Sequence, residues 1–211
     1  MNEKEVKAVN PSTLGWLEYK LNSQEMDYVW RCIKNKKEDF RHKLAGHVSN
    51  SIVLIDRSDW FYIHVLKPLV GKYEKEWMNL GDSLPTNQHH PYNLSRWWVN
   101  YQKQNEFNPL HNHSGIYSFV IWMKIPFHWQ EQNQKDIARK SNHSSIASFE
   151  FVYSNMLGED CMFSYKLASE DEGTLLFFPS KLYHQVYPFY DCDEDRISVS
   201  GNIGLNTTKT M

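Results

Sequence analysis

The chain has 211 residues and a formal net charge of −2 at pH 7, a length that suits one domain and a balance that excludes an overall basic field drawing it to nucleic acid or anionic lipid. Cys32, Cys161 and Cys192 are odd in number, far apart and without a C-x-x-C spacing, so they cannot pair completely within one chain and a reducing compartment is the simpler expectation. The first five residues lack the basic start and apolar run of a secretory signal, and no stretch approaches the length of a membrane span, so a soluble, cytoplasmic protein is expected.

In chain order, residues 23–37 carry Met26, Val29, Trp30 and Ile33 at helical spacing behind Ser23 as a cap, which predicts a surface helix with one buried stripe. A second helix is predicted from Ser58-Asp59 toward Leu80, burying Phe61, Val65, Leu69, Tyr73 and Trp77, kinked or split at Pro68 and ended by Gly81-Asp82. From Asn93 onward, short runs rich in aromatic and branched residues predict strands near residues 94–101, 115–124, 148–153, 162–166, 174–178, 183–187 and 197–205. Strands preceded by helices predict a mainly β fold: a double-stranded jelly roll of cupin-like form over residues 93–205, buttressed by amino-terminal helices within about residues 1–90, all in a single domain 1–211. Between Pro126 and Ile146 runs a polar connection without strand period, either a functional lid or a disordered loop.

Chemistry concentrates in three histidines. His111 and His113 bracket one residue, and residues two apart on an extended segment point to one side of a sheet, so both imidazoles can reach one metal ion. His184, just after the strand-like Leu175-Leu176-Phe177-Phe178-Pro179, supplies a distant third. Twelve residues further, Arg196 and Ser198 share a strand face: a planar fork that bonds a carboxylate through two parallel hydrogen bonds, with a hydroxyl beside it. Neutral imidazoles suit iron, and three protein ligands leave open positions for cosubstrate and oxygen. The other histidines, His42, His47, His64, His89, His90, His128 and His143, are expected to be hydrogen-bonded structural residues.

This layout, H-x-H, then Gly173-Thr174-Leu175-Leu176-Phe177-Phe178-Pro179-Ser180, then His184-Gln185-Val186, then Arg196-Ile197-Ser198-Val199-Ser200-Gly201-Asn202, resembles the iron(II)- and 2-oxoglutarate-dependent oxygenases. Within them it is most similar to small oxygenases of marine cyanobacterial phages and marine bacteria, which would place a phage-encoded protein in the host cytoplasm. The resemblance implies a dioxygenase, hydroxylase in type, that uses iron(II), 2-oxoglutarate and O2. It implies His111 and His184 as iron ligands, and Arg196 with Ser198 as the grip on the far carboxylate of 2-oxoglutarate. The common pattern is H-x-D, and here His113 stands where the carboxylate is expected; either His113 is the third ligand or water fills that position. Asn100, Tyr101, Tyr117, Ser118, Trp122 and Asn202 are candidates to line the cosubstrate pocket.

Two other readings compete: a cupin-like module that holds metal or ligand without turnover, and a phage structural or accessory protein. The primary substrate is not legible. Lys34-Asn35-Lys36-Lys37 with Arg41 and Lys43 is the best local nucleic-acid patch but is more simply the solvated end of a helix. A peptidyl substrate would favour Trp129 and Arg139 on the long connection. A homodimer is left open.

Overall fold

Alternate residues of the carboxy-terminal strands face two different cores, and that alternation organises the molecule. The computed structural model describes residues 13–35, 38, 39, 41 and 45–208. Its strands are β1 (Leu17–Lys20), β2 (Glu38–Asp39), β3 (Asn50–Val53), β4 (Tyr92–Gln102), β5 (Asn108–His111), β6 (Tyr117–Lys124), β7 (Phe149–Ser154), β8 (Asp160–Tyr165), β9 (Thr174–Pro179), β10 (Tyr183–Val186) and β11 (Arg196–Leu205). A seven-stranded sheet runs β1-β9-β6-β11-β4-β3-β2 and a four-stranded sheet runs β5-β10-β7-β8. Every pairing is antiparallel. The predicted jelly roll with flanking helices is the observed architecture. β1, β2, β3 and β5 are additions to the predicted strands.

One face of the large sheet, including Trp97, Val99, Phe119, Ile121, Phe177 and Val199, packs on Val29, Ile33, Leu69 and Tyr73 of the helices. Its other face, including Val120, Trp122, Leu176 and Phe178, meets Phe149 and Phe151 of the small sheet. Gly201 is where two rings cross β11: a Cβ there would lie 2.6 Å from Phe119 Cε1 and 2.8 Å from Trp97 Cβ, so only glycine admits both.

Helix α1 (Ser23–Lys34) buries Val29, Cys32 and Ile33, with Met26 and Trp30 partly buried beside them, as the stripe predicts. Its cap is Asn22 rather than Ser23. Asn22 Oδ1 accepts from the Glu25 backbone N–H at 3.0 Å, while Glu25 Oε2 accepts from the Asn22 N–H at 2.8 Å, a reciprocal capping box that satisfies two otherwise orphaned donors. Asn22→Ala is expected to cost about 1 kcal/mol of stability, read as a lower urea midpoint with unchanged slope. The helix ends at Lys34; Lys36, Lys37, His42 and Lys43 lie outside the described residues.

The second predicted helix is broken more thoroughly than Pro68 alone requires. A 3-10 turn (Arg57–Asp59) and a π-helical stretch (Tyr62–Leu66) precede α2 (Lys67–Glu76). Pro68 is the second residue of α2, but the backbone runs helically into it from Phe61 through Lys67, so its missing N–H falls inside a helical run, directly after the stretch where the bonding shifts to the π pattern. Asp56 caps the approach, its carboxylate accepting from the backbone N–H groups of Phe61 and Tyr62 at 2.9 and 2.8 Å. The helix stops at Glu76, and a 3-10 turn (Leu80–Ser83) carries Gly81 and Asp82.

Residues 126–146 are a docked wall rather than a free loop. They contain α3 (Trp129–Asn133), and Phe127, Ala138 and Ile146 are buried in the core between the sheets. Gln132 fastens the segment, donating to Tyr190 O and accepting from Tyr190 N, both at 2.9 Å. Among the described residues no helix is long and apolar enough to cross a membrane.

A candidate metal centre between the two sheets

Strand register builds the first half of the site. β5 and β10 pair so that His111 lies directly opposite His184, and cross-strand neighbours on one face hold their side chains together; the ring centroids are 4.3 Å apart. His113 lies just beyond the end of β5. Its backbone N–H donates to Ser180 O at 2.8 Å, and its ring returns to the pair with Nε2 3.1 Å from His184 Nε2. One ring nitrogen from each of the three histidines lies within 4.8 Å of the others.

The tautomers follow from the backbone. His111 Nδ1 lies 2.7 Å from Pro109 O and His184 Nδ1 lies 3.0 Å from Leu182 O. A carbonyl only accepts, so Nδ1 carries the proton in both rings and Nε2 presents a lone pair. Such outer hydrogen bonds orient imidazoles that ligate metals. The residues therefore fit a divalent ion: three ring nitrogens lie within 4.8 Å of one another, and in His111 and His184 the backbone carbonyls leave Nε2 as the lone-pair donor. Among the described residues no carboxylate joins the cluster. Glu106 turns away, accepting from the backbone N–H groups of Ser49 and Lys103 at 2.9 Å each.

Phe149 and Phe178 wall His184, their ring centroids 5.6 and 5.0 Å from its own. Burial holds all three imidazoles below their usual range. His111 is lowered by desolvation, His113 is lowered to about 4 by desolvation and then by the charge of His111, and His184 is lowered well below its usual value by desolvation and then by the charges of His111 and His113. The rings are neutral at pH 7, as metal ligands must be. The same shifts set an acid limit. For His113, between pH 6.5 and about 4 the unfolded chain binds a proton that the folded chain does not, so stability falls as pH drops through that window and levels below it. Chelator-treated protein is expected to melt lower at pH 5 than at pH 7, with a shallower dependence in His113→Asn.

The histidines open into a cavity of about 530 Å³. Its long side is made by β4 and β11, whose register sets Gln102 against Arg196, Asn100 against Ser198, Trp98 against Ser200 and Arg96 against Asn202. All eight residues line the cavity. Arg196 is 2 % exposed. Its Nε and Nη2 donate to Gln102 Oε1 at 3.2 and 2.6 Å, Nη1 to Ala147 O at 3.1 Å and Nη2 to Tyr187 O at 3.3 Å. The rings of Phe127 and Phe189 flank the guanidinium at 5.7 and 5.6 Å. Desolvation pulls its pKa down to about 9, still a cation at neutral pH. Its hydrogen-bond partners are all neutral: Asp193 engages Gln104 and Glu194 engages Lys124.

Of the sequence candidates, His111, His113, His184, Arg196, Ser198, Asn100, Trp122 and Asn202 line this cavity. Tyr101 and Tyr117 do not. Both lie on the opposite strand face, against the helix-side core, because side chains alternate and the even-numbered residues of β4 and β6 face the small sheet. The Tyr117 hydroxyl accepts from the Leu80 N–H at 3.4 Å. Ser118 lies beneath the wall, donating to Asn202 Oδ1 at 2.8 Å. Gln102, Trp98 and Arg96 were missed; their even-number parity with Asn100 was the available signal. His47, His64, His128 and His143 pair instead with Phe107, Trp60, Glu170 and Ser145.

Residues 96–202, which include all three histidines and Arg196, match a family model described as "Putative 2OG-Fe(II) oxygenase". Among solved structures, a Pseudomonas putida prolyl-4-hydroxylase is similar with TM-score 0.53 and 13% identity over 92% of this chain and 94% of that one. A Trichoplax adhaerens prolyl hydroxylase, solved with a hypoxia inducible factor oxygen degradation domain peptide fragment, is similar with TM-score 0.50 and 13% identity over 90% and 83%. At such identity the likeness is one of fold. No curated protein matches this chain in sequence.

Proposed function

The chain belongs to the 2OG-Fe(II) oxygenase family, and from that premise we propose that it is an iron(II)- and 2-oxoglutarate-dependent dioxygenase that hydroxylates its primary substrate. The observation that carries this reading is the sharing of one cavity by three convergent imidazoles and a buried guanidinium with only neutral hydrogen-bond partners. His111, His113 and His184 would hold the metal. Arg196 would take the distal carboxylate of 2-oxoglutarate, with Ser198 beside it. When bound, iron(II) supplies oxygen activation coupled to oxidative decarboxylation of 2-oxoglutarate to succinate and carbon dioxide.

The chain's own share is positioning and exclusion. Gln102 orients the fork of Arg196 through two bonds to one oxygen. The carbonyls of Pro109 and Leu182 fix which nitrogen of His111 and His184 faces inward. Trp122, Phe149, Phe178 and Val186 keep one side of the cavity apolar, which limits water around a reactive site. The narrower likeness to phage and marine bacterial oxygenases rests on motif spacing alone.

The test is succinate production from 2-oxoglutarate by purified protein supplied with iron(II) and air, beside anaerobic calorimetry of 2-oxoglutarate binding. Succinate that requires both iron and 2-oxoglutarate is expected. Metal uptake without 2-oxoglutarate binding would favour the cupin-like module instead.

A further inference from the structure

The four sheet borders are unequally guarded. β1 and β2, which border the large sheet, have four and two residues. β5, at one border of the small sheet, has four residues, includes Pro109 and pairs irregularly. Short length, proline and irregular pairing are devices that keep an edge from adding a further strand. β8, at the other border, has none of them. It runs six residues without proline, lysine or arginine, and pairs with β7 in unbroken register from Phe149 opposite Tyr165 to Ser154 opposite Asp160. Among the described residues no backbone hydrogen bond reaches β8 from beyond β7.

This border is also apolar. Of the thirteen large hydrophobic side chains exposed among the described residues, five lie on the β7–β8 hairpin: Tyr153, Met156, Leu157, Met162 and Phe163. Such clustering marks an association surface rather than scattered exposure. Met162 and Phe163, 51 % and 44 % exposed, are adjacent in mid-strand and so point to opposite faces. Both faces of the sheet are therefore apolar where it ends.

Symmetry and charge identify what fits there. Directly opposed residues of an antiparallel pair share a face, so β8 paired with its own copy about a two-fold axis must centre on one residue. Centred on Phe163, the pairing sets the two Phe163 rings side by side, Met162 opposite Ser164, Cys161 opposite Tyr165 and Asp160 opposite Lys166. Asp160 and Lys166 are both exposed, and neither is in an ion pair among the described residues. Centred on Met162 instead, Asp160 would face Ser164 and Lys166 would face Gly158, leaving both charges unmatched.

We propose that two copies of this chain dimerise by antiparallel pairing of β8 with β8, centred on Phe163, into one eight-stranded sheet. Its order is β5-β10-β7-β8 followed by β8-β7-β10-β5 of the second copy, an isologous contact that closes on itself. The two-fold axis repeats the pair of Asp160 and Lys166, so each charge of one copy meets its opposite in the other.

The experiment is sedimentation equilibrium of the full chain from about 1 to 100 µM, with the melting temperature at the lowest concentration confirming that each variant is folded. Wild type is expected to associate reversibly to twice its 25.1 kDa mass. Met162→Lys, which installs the residue that guards natural edges, is expected to leave a folded monomer. Asp160→Lys and Lys166→Asp each set like charges opposite one another at two places, and each is expected to weaken dimerisation about tenfold or more. The exchange of both, Asp160→Lys with Lys166→Asp, is expected to restore wild-type association to within about threefold. A chain that stays monomeric at every concentration, as it would if a different protein covers this edge, would overturn the proposal. So would a dimer indifferent to Met162→Lys, or single reversals that the exchange does not repair. Metal and 2-oxoglutarate take no part, so the result stands apart from the dioxygenase reading.

Discussion

His184→Ala is expected to abolish succinate formation and to weaken metal binding by more than about 100-fold, since even outer partners of metal ligands are worth roughly 10- to 100-fold. His184 is the middle ring of the cluster: it faces His111 across the strand pair and His113 across 3.1 Å. Alanine there removes a lone pair whose direction the Leu182 carbonyl sets, and no other described acidic or sulfur ligand stands near to replace it. The fold should survive. The lost ring leaves space among Phe149, Phe151 and Phe178, a packing loss of about 1–3 kcal/mol, partly offset because a buried imidazole is itself costly to desolvate. The measurement is the melting temperature with and without added metal: wild type rises by mass action, and the variant should not. A variant that still gains stability from metal would remove His184 from the site.

Arg196→Met is expected to raise the KM for 2-oxoglutarate by about 30- to several thousandfold, the equivalent of roughly 2–5 kcal/mol for one partner of a buried, hydrogen-bonded charge pair. The guanidinium is 2 % exposed and faces only neutral acceptors, so its charge is unspent until an anion arrives. Arg196→Lys separates charge from geometry. It keeps the cation but lacks the fork that reaches Gln102, Ala147 and Tyr187 together, and should fall between wild type and Arg196→Met. Metal binding in the absence of 2-oxoglutarate should be the same in all three. An unchanged KM in Arg196→Met would detach the arginine from the cosubstrate.

Arg196 with Ser198 was legible because it is a strand-face relation, and faces follow from a period of two. The same period was applied to His111 and His113, but β5 ends at His111 and His113 reaches the cluster from beyond it, while His184 meets His111 through the β5–β10 register, which no local period gives. The period of two, carried back from Asn100, would have exchanged Tyr101 for Gln102 and Trp98; aromatic character drew attention to the wrong face, although Tyr101 and Tyr117 pack under the helices. β5 escaped notice because it is only four residues long and begins Asn108-Pro109, a dipeptide that ordinarily marks a turn. Asn22 was passed over for Ser23 because both are good caps, and only the reach of Glu25 back to the Asn22 N–H decides between them. The docking of residues 126–146 depends on Gln132 meeting Tyr190, a long-range bond that no local pattern announces.

β5 is short, pairs with β10 through only two aligned positions with an irregularity between them, and is, among the described residues, the edge strand of the small sheet. One of those two positions is the His111–His184 pair. An ion gripped there would clamp the weakest border of the small sheet to its neighbour. Metal binding and completion of that border would then be a single equilibrium, and removal of the ion would loosen the edge of the small sheet.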